Sequence, residues 1–281
     1  MNLTDIIDKI DYIDYTKNTD DEITNVTNDS RKIEKGGVFV AISGMEFDGH
    51  KFIDKAITNG ANTIVVTQDT QKIEGINYIK VEDARIALAQ ISNVVCDFPS
   101  KKLRVIGVTG TNGKTTTASM ISHILENLNS QCTNIGTNGT FIAKEKYETP
   151  NTTPEISEID KILKLSVDKK IDNAVVECSS HGLYLHRLGG IEFDVAVFNN
   201  LSIEHMNFHK NMENYFNAKM ILLENAKKKI VNADDEYGRK AKARFEDAYT
   251  FSLENESDFK AENVELIDGK MHFEIKNVKF V

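Results

Sequence analysis

Apolar and polar positions follow two rhythms along this chain, and the changes between them mark its elements. "GGVFVAI" (36–42) is a short apolar run behind a Gly-Gly turn, the pattern of a buried strand. In "HKFIDKAITNGA" the apolar residues Phe52, Ile53, Ala56 and Ile57 recur at helical spacing, with a glycine near the end. "NTIVVTQ" reads as another strand, and "RIALAQISNVVCDF" as a second amphipathic helix leading to Pro99. A new set then begins. "KLRVIGVTG" is a buried-strand pattern, and "TASMISHILENLN" puts Met120, Ile121, Ile124, Leu125 and Leu128 on one helical face. Strands are predicted at "IDNAVVECSS", "FDVAVFNNLS" and "KIVNADD". A helix is predicted over "MENYFNAKMILLENAKKK", its cations gathered in the last turns as the helix dipole prefers. The tail "NVELIDGKMHFEIKNVKFV" reads as further strands.

Strands alternating with helices predict an α/β fold with mostly parallel sheet and helices on both faces. Two domains are expected. Residues 1–98 form a small N-terminal α/β domain, and residues 99–281 a P-loop-type central domain. In such sheets ligands gather at the carboxyl ends of the strands. The glycine loop, Glu177 and His205, singled out below, each follow a predicted strand or end one.

The segment "GVTGTNGKTTT" (107–117) supplies the candidate chemistry. Strand, glycine-rich turn, Lys-Thr and helix are the context of a phosphate-binding loop. Gly110 and Gly113 let backbone N–H groups turn inward, so that Gly110, Thr111, Asn112, Gly113, Lys114, Thr115 and Thr116 face a polyphosphate at a helix N-terminus. Lys114 would sit on the β/γ-phosphates and the Thr115 hydroxyl would ligate Mg²⁺. The spacing departs from the general G-x-x-x-x-G-K-[ST]: its first position is Val108, with the glycine one earlier at Gly107. Glu177 ends an apolar strand, where a carboxylate can complete the metal shell begun by Thr115.

This loop resembles the ATP loop of the Mur ligase family, the ATP-dependent amide-forming enzymes of peptidoglycan synthesis. "NTTPE", "ECSSHGLYLHRLGGIEFDVAVFNNLSIEHMNFH" and "YFNAKMILLENA" are similar to successive motifs of its MurE-type tripeptide synthetases. "DSRKIEKGGVFVAISGMEFDGHKFI" resembles their UDP-binding N-terminal domain, with "GMEFDGH" (44–50) as the loop near the uracil. The resemblance implies a ligase that activates a carboxylate as an acyl phosphate with ATP and joins it to an amine. Its substrates would be a UDP-N-acetylmuramoyl-dipeptide and an amino acid, diaminopimelate or lysine. It further implies that His205 ligates a second metal and that Lys219 is carbamylated by CO₂, which turns an ammonium into an anionic ligand. Lys114, Lys219 and His205 are thus the expected catalytic residues, and Thr115, Glu177, His205 and Lys219 the expected metal set. Ser30 resembles the uridine contact; Asn151, Thr152, Thr153, Ser179 and Arg187 would bind the rest of the anionic substrate. Asn199, Glu204, Asn207, Phe208 and Leu185 depart from the family's usual wording. The chain is read as ending within or just after the central domain, so that the C-terminal domain of the family is expected to be absent.

Composition narrows the picture further. A net charge of −9 over 281 residues argues against nucleic-acid binding, so an anionic ligand must be drawn by local groups. The start lacks the pattern of a signal peptide and no stretch is long and apolar enough to span a bilayer, so a cytoplasmic location is expected; a monomer is expected as well. Cys96, Cys132 and Cys178, odd in number and scattered, are expected to be thiols. Ser179, Ser180 and His181 stand side by side, but no G-x-S-x-G elbow accompanies them, which argues against a serine hydrolase. Two other readings remain open: a folylpolyglutamate-synthetase-like ligase, disfavoured by the UDP-type first domain, and a non-catalytic protein that binds ATP and the UDP-substrate.

Overall fold

The computed structural model describes residues 1–44, 47–149 and 151–281. Met45 and Glu46, within the predicted uracil loop, and Pro150 lie outside the described residues. In chain order the elements are α1 (Leu3–Ile7), β1 (Asp14–Thr16), β2 (Val26–Thr27), β3 (Gly37–Val40), α2 (Ile53–Thr58), β4 (Ala61–Val66), β5 (Asn77–Lys80) and α3 (Ala84–Val95). Next come β6 (Arg104–Thr109), α4 (Lys114–Asn127), β7 (Cys132–Gly136), β8 (Gly139–Ile142), β9 (Glu145–Tyr147), α5 (Ile156–Asp168), β10 (Asn173–Glu177), α6 (Ser180–Tyr184) and β11 (Phe193–Phe198). The remainder is α7 (Met206–His209), α8 (Met212–Glu224), β12 (Ala226–Asn232), α9 (Glu236–Arg244), β13 (Tyr249–Ser252), β14 (Phe259–Lys260), β15 (Glu262–Ile267), β16 (Lys270–Ile275) and β17 (Val278–Phe280).

The chain folds as two compact units that are not two consecutive stretches. One comprises Met1–Lys102 together with Pro154–Lys170 and Leu185–Ile191; the other comprises Leu103–Thr153, Ile171–Tyr184 and Glu192–Val281. In the first, the sheet runs β1-β5-β4-β3-β2, parallel except for the edge strand β1. Phe39, Ile64, Ala56 and Tyr78 share its core. Asp83 caps α3, its carboxylate accepting from the backbone N–H groups of Arg85 and Ile86, and α3 buries Leu88, Ile91 and Val94. Helix α5 packs against α3 through Ile156, Ile159 and Leu163.

A nine-stranded sheet in the order β14-β13-β12-β11-β6-β10-β7-β8-β9 forms the second unit. It is parallel from β14 to β7, and β8 and β9 add an antiparallel edge. From β6 the chain passes through α4 to β7, then returns to insert β10 beside β6, and β11 joins on the other side. This reversal of strand order places the carboxyl ends of β6, β10 and β11 around one crevice, the position where such sheets bind ligands. Glu177 pairs with Val108, and Phe198 with Thr109, so the three strand ends stop at nearly the same level. Strands β15, β16 and β17 form a separate antiparallel sheet.

Two readings of the sequence need correction. The helix α8 ends at Glu224, and the cations Lys227, Lys228 and Lys229 belong to β12. In that extended course Lys227 meets Asp194 at 2.9 Å and Lys229 meets Asp247 at 3.1 Å. The apolar stripe of α4 is also narrower than expected. Ile121 and Leu125 pack on the core of Val108, Ala118 and Val175, whereas Met120, Ile124 and Leu128 are exposed. All three cysteines are buried thiols. No helix among the described residues is long and apolar enough to cross a membrane.

Candidate active site

The loop after β6 is held from below by the end of β11. Gly113, the N-cap of α4, has φ +79°, a left-handed conformation that glycine adopts without strain. Thr111 donates its N–H to the Asn200 carbonyl at 3.0 Å. The Asn200 side chain then grips Asn112 on both sides: Oδ1 accepts from its N–H at 2.9 Å and Nδ2 donates to its carbonyl at 3.2 Å. Asn199 Nδ2 donates to Thr117 Oγ1 at 3.0 Å, pinning the first turn of α4. Thr116 lies exposed in that turn.

Two lysines converge on this loop. Lys114 Nζ donates to the carbonyls of Gly110 (2.9 Å) and Thr111 (2.8 Å). Lys219 Nζ donates to the same Gly110 carbonyl at 2.8 Å. Lys219 lies in the buried stripe of α8 formed by Tyr215, Ala218, Leu222 and Leu223, and its residue is only 1% exposed. Burial, and secondarily the Lys114 charge, push its ammonium down to about 7; the carboxylate of Glu204 opposes this. Burial also lowers the pKa of Lys114.

Thr115 and Glu177 meet, the Thr115 hydroxyl donating to Glu177 Oε2 at 2.8 Å. Thr137 completes the arrangement: its N–H donates to Oε1 at 3.0 Å and its hydroxyl to Oε2 at 3.1 Å. Glu177 is 2% exposed, so these donors and any cation bound there are what stabilise its charge. A carboxylate and a hydroxyl are hard oxygen donors that suit Mg²⁺. His205 opens α7 with φ +57° and sits 3.7 Å from Glu204. Its ring meets the rings of His181 (4.8 Å between centroids) and Tyr215 (6.0 Å). Among the described residues, no group of three or more His, Cys, Asp or Glu is arranged to hold a metal. As an ammonium, Lys219 is a donor and not a ligand.

The predicted substrate residues divide between the units. In the second, Thr153 is buried and acts as a tie: its hydroxyl donates to the Glu177 carbonyl at 2.7 Å and accepts from the Ser179 N–H at 3.0 Å. Ser179 Oγ accepts from the N–H of Gly182 at 3.0 Å. Thr152 Oγ1 is 3.0 Å from Thr137 Oγ1, and Asn151 is exposed. In the first unit, Ser30 is buried and its carbonyl accepts from Asn59 Nδ2 at 2.7 Å; Arg187 Nε lies 2.9 Å from Glu155. The reading from sequence did not single out Thr137, Asn200 or Tyr215, each of which contacts the loop or its carboxylate. His209 is buried with Nε2 2.9 Å from Ser180 Oγ, and burial holds its imidazole down to about 4.

Comparison with known proteins identifies relatives of this chain. The family model described as the Mur ligase middle domain matches residues 108–280, and that of the Mur ligase family catalytic domain matches residues 22–95. A UDP-N-acetylmuramoyl-L-alanyl-D-glutamate–2,6-diaminopimelate ligase of Clostridium acetobutylicum is 42% identical over 276 residues, 98% of this chain and 57% of the relative. The corresponding L-lysine ligase of Staphylococcus haemolyticus is 36% identical over 283 residues, again 98% and 57%. A solved structure of a UDP-N-acetylmuramoyl-L-alanyl-D-glutamate–2,6-diaminopimelate ligase superposes with a TM-score of 0.79 at 26% identity, covering 92% of this chain and 55% of that one. The chain thus spans a little over half the length of the relatives it matches. With family models matching residues 22–95 and 108–280, and a relative 42% identical over 98% of this chain, the chain belongs to the Mur ligase family.

Proposed function

We propose that this chain carries the nucleotide and substrate sites of an ATP-dependent amide ligase. It would add diaminopimelate or lysine to UDP-N-acetylmuramoyl-L-alanyl-D-glutamate in peptidoglycan synthesis, as a cytoplasmic monomer. The names of the relatives support the substrates. The observation that carries the reading is the convergence of Lys114 and Lys219 on the Gly110 carbonyl, beside the Thr115–Glu177 pair. Two cations sharing one acceptor at a helix N-terminus form a site that an incoming polyphosphate relieves of charge repulsion.

In this reading the substrate carboxylate attacks the γ-phosphorus of ATP, ADP leaves, and an acyl phosphate results. The amine of the amino acid then adds to the acyl carbon, and phosphate departs as the amide forms. Lys114 turns from the loop carbonyls to the β/γ-phosphates and stabilises the charge that moves onto ADP. Thr115 and Glu177 would hold Mg²⁺, which neutralises phosphate charge when bound. His205 would approach a second ion. Lys219 would act as a carbamate: its low pKa leaves a large neutral fraction near pH 7, whose lone pair adds to CO₂ with loss of a proton. Ser30 would contact uridine, and Asn151, Thr152, Thr153, Ser179 and Arg187 the remaining anionic groups.

A phosphate-release assay with ATP, Mg²⁺, UDP-N-acetylmuramoyl-L-Ala-D-Glu and a panel of amino acids tests this. Release that requires both the dipeptide and diaminopimelate or lysine is expected. Binding of ATP and the dipeptide with no release for any amino acid would leave a binding protein in place of a ligase. Mass spectrometry under CO₂ should show a labile increment on Lys219; full turnover by Lys219→Ala in CO₂-free buffer would remove its assigned role.

A further inference from the structure

One buried side chain touches both the nucleotide loop and the active-site lysine. Tyr215 is 1% exposed and lies one helical turn before Lys219 on α8. Its hydroxyl is 3.2 Å from Thr111 Oγ1, and its ring face carries Lys219 Nζ 4.7 Å from the centroid. The His209 ring stacks on it, with centroids 4.9 Å apart and planes at 27°. His209 in turn is fixed by Ser180 on α6, the helix that follows the strand ending in Glu177. Thr111 Oγ1 also accepts from the Ser202 N–H at 2.9 Å, so the hydroxyl of Tyr215 completes a joint between the loop, the segment after β11 and α8.

We propose that Tyr215 is a positioning residue that keeps the nucleotide loop in register with Lys219, acting through its hydroxyl on Thr111 and through its ring on the lysine arm. The proposal rests on the ATP reading above. Its physical reason is what happens when phosphate arrives. Lys114 donates to the carbonyls of Gly110 and Thr111, and these two bonds are lost if its ammonium turns to a phosphate. The loop then depends on its remaining ties. Among these is the Tyr215–Thr111 contact, which holds Thr111 next to Gly110, the acceptor of Lys219. An aromatic ring is a stiff spacer with few torsions, and Tyr215 is buried. Its π-face also attracts the ammonium, which fixes the arm before the lysine is modified.

Calorimetric titration of the full chain with ATP and Mg²⁺ tests this with Tyr215→Phe, Thr111→Val and the double variant. Tyr215→Phe keeps the ring and removes only the hydroxyl, so it should weaken binding about 3- to 10-fold, the worth of one buried hydrogen bond. In the Thr111→Val background the same change should cost less than about 2-fold, because the partner is already gone. Tyr215→Leu should lose about 10-fold more than Tyr215→Phe. A merely structural tyrosine would show independent, multiplying losses. Wild-type affinity in Tyr215→Phe, or losses that multiply in the double variant, would overturn the proposal while leaving the ATP reading intact. No binding of ATP by the unmodified chain would overturn both.

Discussion

Lys114 and Lys219 donate to one carbonyl oxygen, that of Gly110, at 2.9 and 2.8 Å. Two like charges on a single acceptor oppose each other, and Lys114 is the second contributor, after burial, to the lowered pKa of Lys219. Replacing Lys114 with Met removes that repulsion. The titration midpoint of Lys219, followed by NMR of its side-chain methylene, should rise from about 7 toward the ordinary lysine range. If Lys114 meets the β/γ-phosphates as proposed above, the same variant should lose ATP affinity by roughly 100-fold. An unchanged Lys219 midpoint would show that the two ammonium groups do not feel each other.

Gly136 touches the carboxylate more closely than any side chain would allow. A Cβ built there would lie 1.9 Å from Glu177 Oε1 and 2.5 Å from Cδ. Gly136→Ala should therefore displace Glu177 from Thr115 and Thr137 without touching the glycine loop itself. Mg²⁺-dependent ATP affinity should fall about 10-fold or more, and the dependence of binding on Mg²⁺ should flatten. Calorimetry with and without Mg²⁺ reads both; wild-type Mg²⁺ dependence in this variant would remove Glu177 from the metal site.

Gly107 plays a different part, at the contact of β6 with α8. An added Cβ would meet Leu222 Cδ1 at 2.6 Å and the Phe193 ring at 2.9 Å. Overpacking of this kind costs about 1–3 kcal/mol. Gly107→Ala should lower stability by that amount in urea unfolding, and equal midpoints for the two proteins would refute the close fit.

Asp160 makes stability in the first unit depend on pH. It is fully buried, accepts from Ser92 Oγ at 2.6 Å through Oδ2, and its Oδ1 has no hydrogen-bond partner among the described residues. Burial raises its carboxyl to about 7 from 3.8. Below about pH 4 the acid is protonated whether the chain is folded or not, and folding is unaffected. Between about 4 and 7 the unfolded chain releases the proton and the folded one retains it, so stability declines as pH rises. Above 7 both forms are ionised and the loss is complete. Asp160→Asn keeps an acceptor for Ser92 and does not titrate. It should gain on the wild type across that window by up to about 4 kcal/mol, levelling off above pH 7. Parallel pH–stability curves for the two proteins would contradict the burial argument.

Most of the sheet was legible because its strands are buried on both faces and read as continuous apolar runs, as at 104–109, 173–177 and 193–198. The loop was legible because glycine, lysine and threonine at that spacing have few other uses. Helix α5 was not singled out, although Ile156, Ile159 and Leu163 recur at helical spacing, because the adjacent Thr-Thr-Pro drew the reading toward substrate contacts. At 225–229 the cations resembled a helix end, and only their partners Asp194 and Asp247, distant in sequence, reveal a strand. Lys219 stood out through the family resemblance; in the residues alone it is a lysine inside an apolar stripe, a mismatch that itself marks a site. Asn200 and Tyr215 belong to no motif by residue type, so their contacts with the loop emerge only once the loop and α8 lie side by side.

The interleaving of the two units has a practical consequence for anyone who wants them apart. Because Pro154–Lys170 and Leu185–Ile191 leave one body to complete the other, no single cut in the gene yields either of them whole. A fragment ending near residue 98 would lack the helix that covers Ser92 and would expose the apolar face of α3 to solvent. Such a piece is suited to aggregation rather than to ligand screening. Swaps with relatives would have to exchange both inserted segments together with the N-terminal stretch.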